Sequence, residues 1–130
     1  MDYQPDSRLN EVLAAGDIHL IPLQAGLGSI SVPSKLYSIL AAGRPVLASV
    51  DSGTEIDRVV TRSGAGINSD PANPAEFVAA LINLVDDPAG RAAAGDQARR
   101  FAEQWLSPKA VAESYSELFL GLQSLNDEAR

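Results

Sequence analysis

Gly26-Leu27-Gly28-Ser29 opens a run of small residues that ends at Pro33-Ser34-Lys35, the stretch of this chain best suited to hold a ligand. Small residues allow a ligand close to the backbone. Ser34 has the type and place of a helix N-cap, and a helix starting there turns unpaired N–H groups and the positive end of its dipole toward the loop. An anion such as a diphosphate is favoured at that point, and Lys35 in the first turn adds a charge. The plain alternative is a capped helix with no ligand and a solvated lysine. Glu55 opens another helix beside the same presumed cleft, where dipole capping and ligand contact compete as explanations.

Other chemistry-bearing residues read more plainly. His19 lies in an apolar strand and fits a packed histidine better than a catalytic one. Asp86-Asp87 looks like a carboxylate pair, but Asp87 precedes Pro88 and reads as a helix cap. Arg99-Arg100 fits a solvated helix face, and Trp105 fits core packing better than stacking on a ligand. With no cysteine and one histidine, disulfides, thiolate metal sites and histidine-rich metal centres are excluded.

The 10 basic against 17 acidic side chains give a formal charge of -7, which disfavours nucleic acid and anionic lipid surfaces as partners. The start, Met1-Asp2-Tyr3-Gln4-Pro5-Asp6, has neither the basic flank nor the apolar stretch of a secretory signal. No apolar run approaches the ~20 residues of a membrane span. These features predict a soluble, cytoplasmic protein.

The elements that must position the loop follow from periodicity. Leu9, Val12 and Leu13 have helical spacing and stop at Gly16; residues 18–23 are a compact apolar run of strand length. Leu36, Ile39 and Leu40 share a helical face that stops at Gly43, and residues 45–50 form a second strand. Asp51-Ser52-Gly53 turns into a helix opened by Thr54 and carrying Ile56, Val59 and Val60; residues 64–67 give a third strand. Beyond Asp70 the chain is helical. Asn73 and Glu76 form a capping pair around Pro74, with Phe77, Val78, Leu81, Ile82 and Val85 as an apolar face. Asp87-Pro88 starts a helix weakened by Gly90 and Gly95 and anchored by Phe101 and Trp105. Ser107-Pro108 starts the last one, with Val111, Tyr115, Leu118, Phe119 and Leu122 at helical spacing and a polar, frayed tail after Gln123.

This alternation predicts an α/β fold: a partial Rossmann-like parallel sheet of about three strands, helices on both faces, and a helical C-terminal end. Residues 1–106 form the sheet-bearing domain and 107–130 the last helix and tail. Three strands are few for such a sheet, so further strands are expected upstream.

The segment from Val32 to Ala48 resembles the donor-binding stretch of retaining, family-four glycosyltransferases with two-domain GT-B architecture. Those enzymes carry a Glu-x7-Glu signature whose second Glu starts Glu-Ala-Met-Ala-x-Gly-x-Pro-Val. Here Ser38-Ile39-Leu40-Ala41-Ala42-Gly43-Arg44-Pro45-Val46 takes that place, and Pro33-Ser34-Lys35 is similar to the version found in surface-polysaccharide enzymes. The helix and strand from Leu9 to Leu23, the Asp51-Ser52-Gly53-Thr54-Glu55-Ile56 turn, Gly64-Ala65-Gly66 and the helix from Asn73 to Val85 resemble the family's elements in the same order. Two positions depart from it. Ser38 stands where the family holds the ribose with Glu, and Ile30 stands where the first Glu contacts the donor sugar.

The resemblance implies a nucleotide-diphosphate-sugar donor as substrate, no cofactor and no tightly bound metal. It implies transfer of a hexosyl group to an acceptor hydroxyl, in cell-surface polysaccharide or glycolipid synthesis. Backbone amides of Ser29, Ser31, Val32 and Ser34, with Lys35, would hold the diphosphate; Ser38 would touch the ribose and Glu55 the donor. The catalytic residues are not identified. The family's N-terminal acceptor domain has no counterpart here, so the isolated chain is expected to be inactive. Its last helix would pair with that domain or self-associate. The alternative is a non-catalytic remnant or interaction module. A GT-B epimerase lacks the acid and base it would need, and a receiver-type fold lacks its acidic cluster.

Overall fold

A computed structural model of the chain describes residues 5–28 and 34–128. A 3-10 turn (Asp6–Arg8) leads into α1 (Leu9–Ala14), then β1 (His19–Pro22), α2 (Lys35–Ala41), β2 (Val46–Ser49), α3 (Glu55–Ser63) and β3 (Gly66–Ser69). Three helices follow: α4 (Pro74–Asp86), α5 (Pro88–Phe101), which runs on through a π-helical turn (Ala102–Leu106), and α6 (Pro108–Glu128). The strands form one parallel sheet in the order β1-β2-β3. The partial Rossmann-like α/β architecture expected from the sequence is present, with its helical end.

Register explains which side chains meet. Leu20, Leu47 and Ile67 stand in one row across the sheet, and Ile21, Ala48 and Asn68 in the next. Successive residues point to opposite faces. On one face Ile21, Val46 and Ala48 pack with Leu36, Ile39 and Leu40 of α2 and Ile56, Val59 and Val60 of α3; Ala98 of α5 completes that core. On the other face Leu47 packs with Ala80 and Leu84 of α4, flanked by Ile18, Phe77 and Leu81.

Helix ends follow local chemistry, with some departures from the sequence reading. Gly43 (φ 68°) ends α2 as expected, but Gly64 (φ 64°) terminates α3 instead of opening β3, which therefore starts at Gly66. Both glycines sit in the left-handed region, where a side chain is strained. Asn73 accepts from the Glu76 amide at 3.3 Å, but Glu76 returns a contact to the Asn73 side chain at 3.4 Å; the Asn73 amide bonds the Asp70 carbonyl instead. Asp87 caps α5 through the Gly90 amide at 2.8 Å.

Gly95, read as a weak point, is where α5 crosses the α2–β2 turn. A Cβ there would lie 2.5 Å from the Gly43 carbonyl oxygen. Arg99 is more than a solvated cation: it donates to the Ala41 carbonyl at 2.6 Å and pairs with Glu103, so it closes the C-terminal end of α2. Arg91 does the same for α4, at 2.5 Å from the Leu84 and Val85 carbonyls. Trp105 is 50% exposed, so the expected core packing is not met; Phe101 packs against the core in its place. Helix α6 continues to Glu128, past the expected stop at Gln123.

Candidate functional site at the carboxyl edge of the sheet

Parallel strands bring the loops after β1 and β2 to the same edge of the sheet, where open α/β sheets bind ligands. The chain leaves β1 with the Leu23 amide bonded to the Ser49 carbonyl at 2.9 Å, and Leu27 turns back on Gln24 at 3.1 Å. Gly26 then donates its amide to the Asp51 carboxylate at 2.8 Å. Gly28 is buried against Thr54: a Cβ there would lie 2.7 Å from the Thr54 methyl. The small residues of the loop thus serve a close approach between the two loops, which any larger side chain at position 28 would disturb.

The β2–α3 turn is tightly wired. Thr54 donates its hydroxyl to the Asp51 carbonyl at 2.8 Å and caps α3 by accepting from the Asp57 amide at 3.4 Å. Asp57 reaches back to the Gly53 amide at 2.7 Å and takes a further bond from Asn68 at 3.0 Å. Asn68 also pairs with both the amide and the carbonyl of Val50, each at 3.1 Å. Its side chain prolongs the β2–β3 ladder by one residue. Asp57 and Asn68 escaped the sequence reading. Thr54-x-x-Asp57 follows the capping-box spacing and was the available signal for Asp57, whereas an asparagine in a strand signals nothing until its neighbour is known.

Among the expected ligand residues, Ser29, Ser31 and Val32, and with them Ile30, lie outside the described residues. Ser34 is exposed and helical in backbone, and its side chain makes no cap bond; the N-cap expectation is corrected. Ser34 is already wound into the turn, whereas a capping hydroxyl needs a non-helical backbone to fold back. Lys35 is exposed as the first residue of α2. Ser38 is half-buried and lines a groove of about 450 Å³ with Leu9 and Leu13 of α1, Ala41 and Arg99. Glu55 is the first residue of α3, its carboxylate 3.6 Å from Arg58.

Glu55 also acts on α2. Burial, and secondarily the Glu55 charge, raise the Tyr37 hydroxyl above the ordinary tyrosine value. Tyr37 is the immediate neighbour of Ser38 in α2. His19 donates from Nε2 to the Leu13 carbonyl at 2.9 Å with its ring over Gly16, which makes it a packed residue as expected.

Chemically, the edge is divided. Asp51 and Asp57 are committed to backbone amides, which leaves the exposed Glu55 as an acceptor suited to a hydroxyl. Lys35 is exposed on the α2 side of the edge. On the α4 side of the same edge, Pro22, Leu23, Gln24, Ser49, Pro71, Pro74 and Phe77 line a hollow of about 330 Å³, apolar enough to receive a flat ring or sugar face. No cluster of three His, Cys, Asp or Glu side chains fit for a metal occurs among the described residues, and no helix there is long and apolar enough to cross a membrane.

No family model matches the chain, and no solved structure does. Over 83 residues the chain is 39% identical to a Pseudomonas aeruginosa protein described as probable glycosyltransferase WbjE. The match takes in 64% of this chain and 20% of that protein, so the chain spans about a fifth of its relative's length. At that identity the chain is related in sequence to a probable glycosyltransferase.

Proposed function

We propose that this chain is the nucleotide-sugar-binding portion of a retaining glycosyltransferase of the family-four, GT-B kind, acting in the cytoplasm on cell-surface polysaccharide or glycolipid precursors. The 39% identity to a probable glycosyltransferase carries the reading. The parallel sheet with two docked loops at its carboxyl edge supports it, because such an edge suits a nucleotide. Lys35 and the amides of Ser29, Ser31, Val32 and Ser34 hold the diphosphate. Ser38, or Glu55 with Tyr37, receives the ribose hydroxyls.

In such a transfer the sugar C1–O bond to the diphosphate breaks and a bond from C1 to the acceptor oxygen forms, while the acceptor proton leaves with the diphosphate. Charge grows on the departing phosphate, and fixed N–H dipoles with one cation stabilise it. The residues named here bear on the donor side of such a cleft.

Calorimetric titration with UDP, GDP and inorganic phosphate tests this reading. Saturable binding of one nucleoside diphosphate, weakened about tenfold in Lys35→Ala by loss of a charge-assisted contact, is the expected result. A folded chain that binds neither nucleotide contradicts it and leaves an interaction module as the better description.

A further inference from the structure

Asp51 opens a turn that does not use its carboxylate. In an Asp-Ser-Gly turn the acid commonly accepts from the amide two residues on. Here that amide, of Gly53, is taken by Asp57 at 2.7 Å, and α3 is capped by Thr54. The Asp51 carboxylate crosses instead to the loop after β1, where Oδ2 accepts from the Gly26 amide at 2.8 Å, 25 positions away. The same oxygen lies 3.4 Å from the point where a Cβ on Gly28 would stand, so the loop curls around it.

The two partners in that bond are held differently. Asp51 sits on a fixed frame. Its carbonyl accepts from the Thr54 hydroxyl at 2.8 Å and from the Thr54 amide at 3.4 Å. Val50 before it is 1% exposed, with its amide and its carbonyl both bonded to Asn68 of β3. Gly26 belongs to a loop in which Gln24 to Leu27 are exposed and outside any helix or strand. Exposed backbone with few buried contacts opens at low cost. A charge-assisted bond from a rigid turn therefore weighs heavily on where the loop lies.

That loop leads from β1 to Ser29, Ser31, Val32, Ser34 and Lys35, the residues assigned to the diphosphate under the proposed function. A ligand that needs the loop in one position binds less tightly in proportion to the time the loop spends elsewhere. A carboxylate offers no attraction to a phosphate, so Asp51 can serve such a ligand only through the backbone it holds.

We infer that Asp51 is a positioning residue of the donor site: its carboxylate fixes the loop after β1 through the Gly26 amide, and the fixed loop sets the affinity for a nucleoside diphosphate. This role rests on the proposed donor binding and deepens it.

Two variants and two measurements test it. Amide exchange by NMR reads the loop without ligand, and calorimetric titration with UDP and GDP reads the site. Asp51→Ala should speed exchange at Gly26 and weaken the nucleotide that binds by about tenfold, while exchange in Val46–Ser49 stays as in the parent. Asp51→Asn keeps an oxygen that accepts from the amide, so it should restore the slow exchange and bring affinity to within about threefold of the parent. A merely structural acid would show its loss in the sheet amides as well. Parent-like affinity in Asp51→Ala, or Asp51→Asn as weak as Asp51→Ala, overturns the role and leaves donor binding standing. A parent chain that binds neither UDP nor GDP overturns donor binding and this role with it, even where Gly26 exchange still answers to Asp51→Ala.

Discussion

The two faces of the sheet are built from the same kind of residue and end in different states. On the face under α2 and α3, Ile21, Val46 and Ala48 are buried, and α5 closes the layer behind them. On the face under α4, the row Leu20, Leu47 and Ile67 is covered only at its centre: Leu47 is 0% exposed, Leu20 47% and Ile67 37%. The outer stripe of α4 (Val78, Ile82, Val85) is exposed as well. Apolarity of a strand therefore reports that both its faces suit burial, and the number of helices that arrive decides which face is buried. Stability should reside on the double-helix face and under α4, and the flanks should tolerate change.

Leucine truncation along that single row breaks or sharpens the comparison most strongly. Leu47→Ala should cost about 2–5 kcal/mol in urea unfolding, while Leu20→Ala, in the same row, should cost under ~1 kcal/mol. Equal losses would mean that Leu20 is covered in solution. Next in size is Asn68→Ala, which strips partners from the amide and carbonyl of Val50, itself 1% exposed, and should lose about 1–3 kcal/mol. Hydrogen exchange at Val50 should rise with it. Asp87→Ala removes the cap of α5 and should cost about 1 kcal/mol.

The smallest effect is alkaline. Tyr37 holds its proton more tightly folded than unfolded, so its contribution is complete below the ordinary tyrosine pKa near 10 and fades as pH rises through the higher folded value. Tyr37→Phe should abolish that fading in stability measured against pH, and Glu55→Gln should reduce it only in part, because burial is the larger cause.

Much of this was legible from the sequence for a physical reason: period and punctuation. Gly43, Pro74, Pro88 and Thr54 mark their helix ends because cap and φ requirements are local. Gly64 misled because a glycine closing a helix and one opening a strand look alike in sequence. The site was half legible. A small-residue loop followed by Lys35 announces a place for an anion, but Asp51 reaching Gly26 and Asn68 reaching Val50 join residues 25 and 18 positions apart, and no local rule encodes such pairings. Trp105 was misjudged for the complementary reason: a large aromatic at helical spacing suits burial, and only the packing shows that nothing covers it.

The central claim, that a nucleoside diphosphate is held at the carboxyl edge of the sheet, is tested most directly by amide NMR spectra recorded with increasing UDP or GDP. The account predicts saturable shifts confined to the stretch from Gln24 through Ser38 and the turn from Asp51 to Glu55, with Leu20, Ile67 and α6 silent. Shifts centred instead on Asp17, Arg44 and Arg91, which line a hollow of about 340 Å³ at the opposite edge, or no shifts at all, would contradict it.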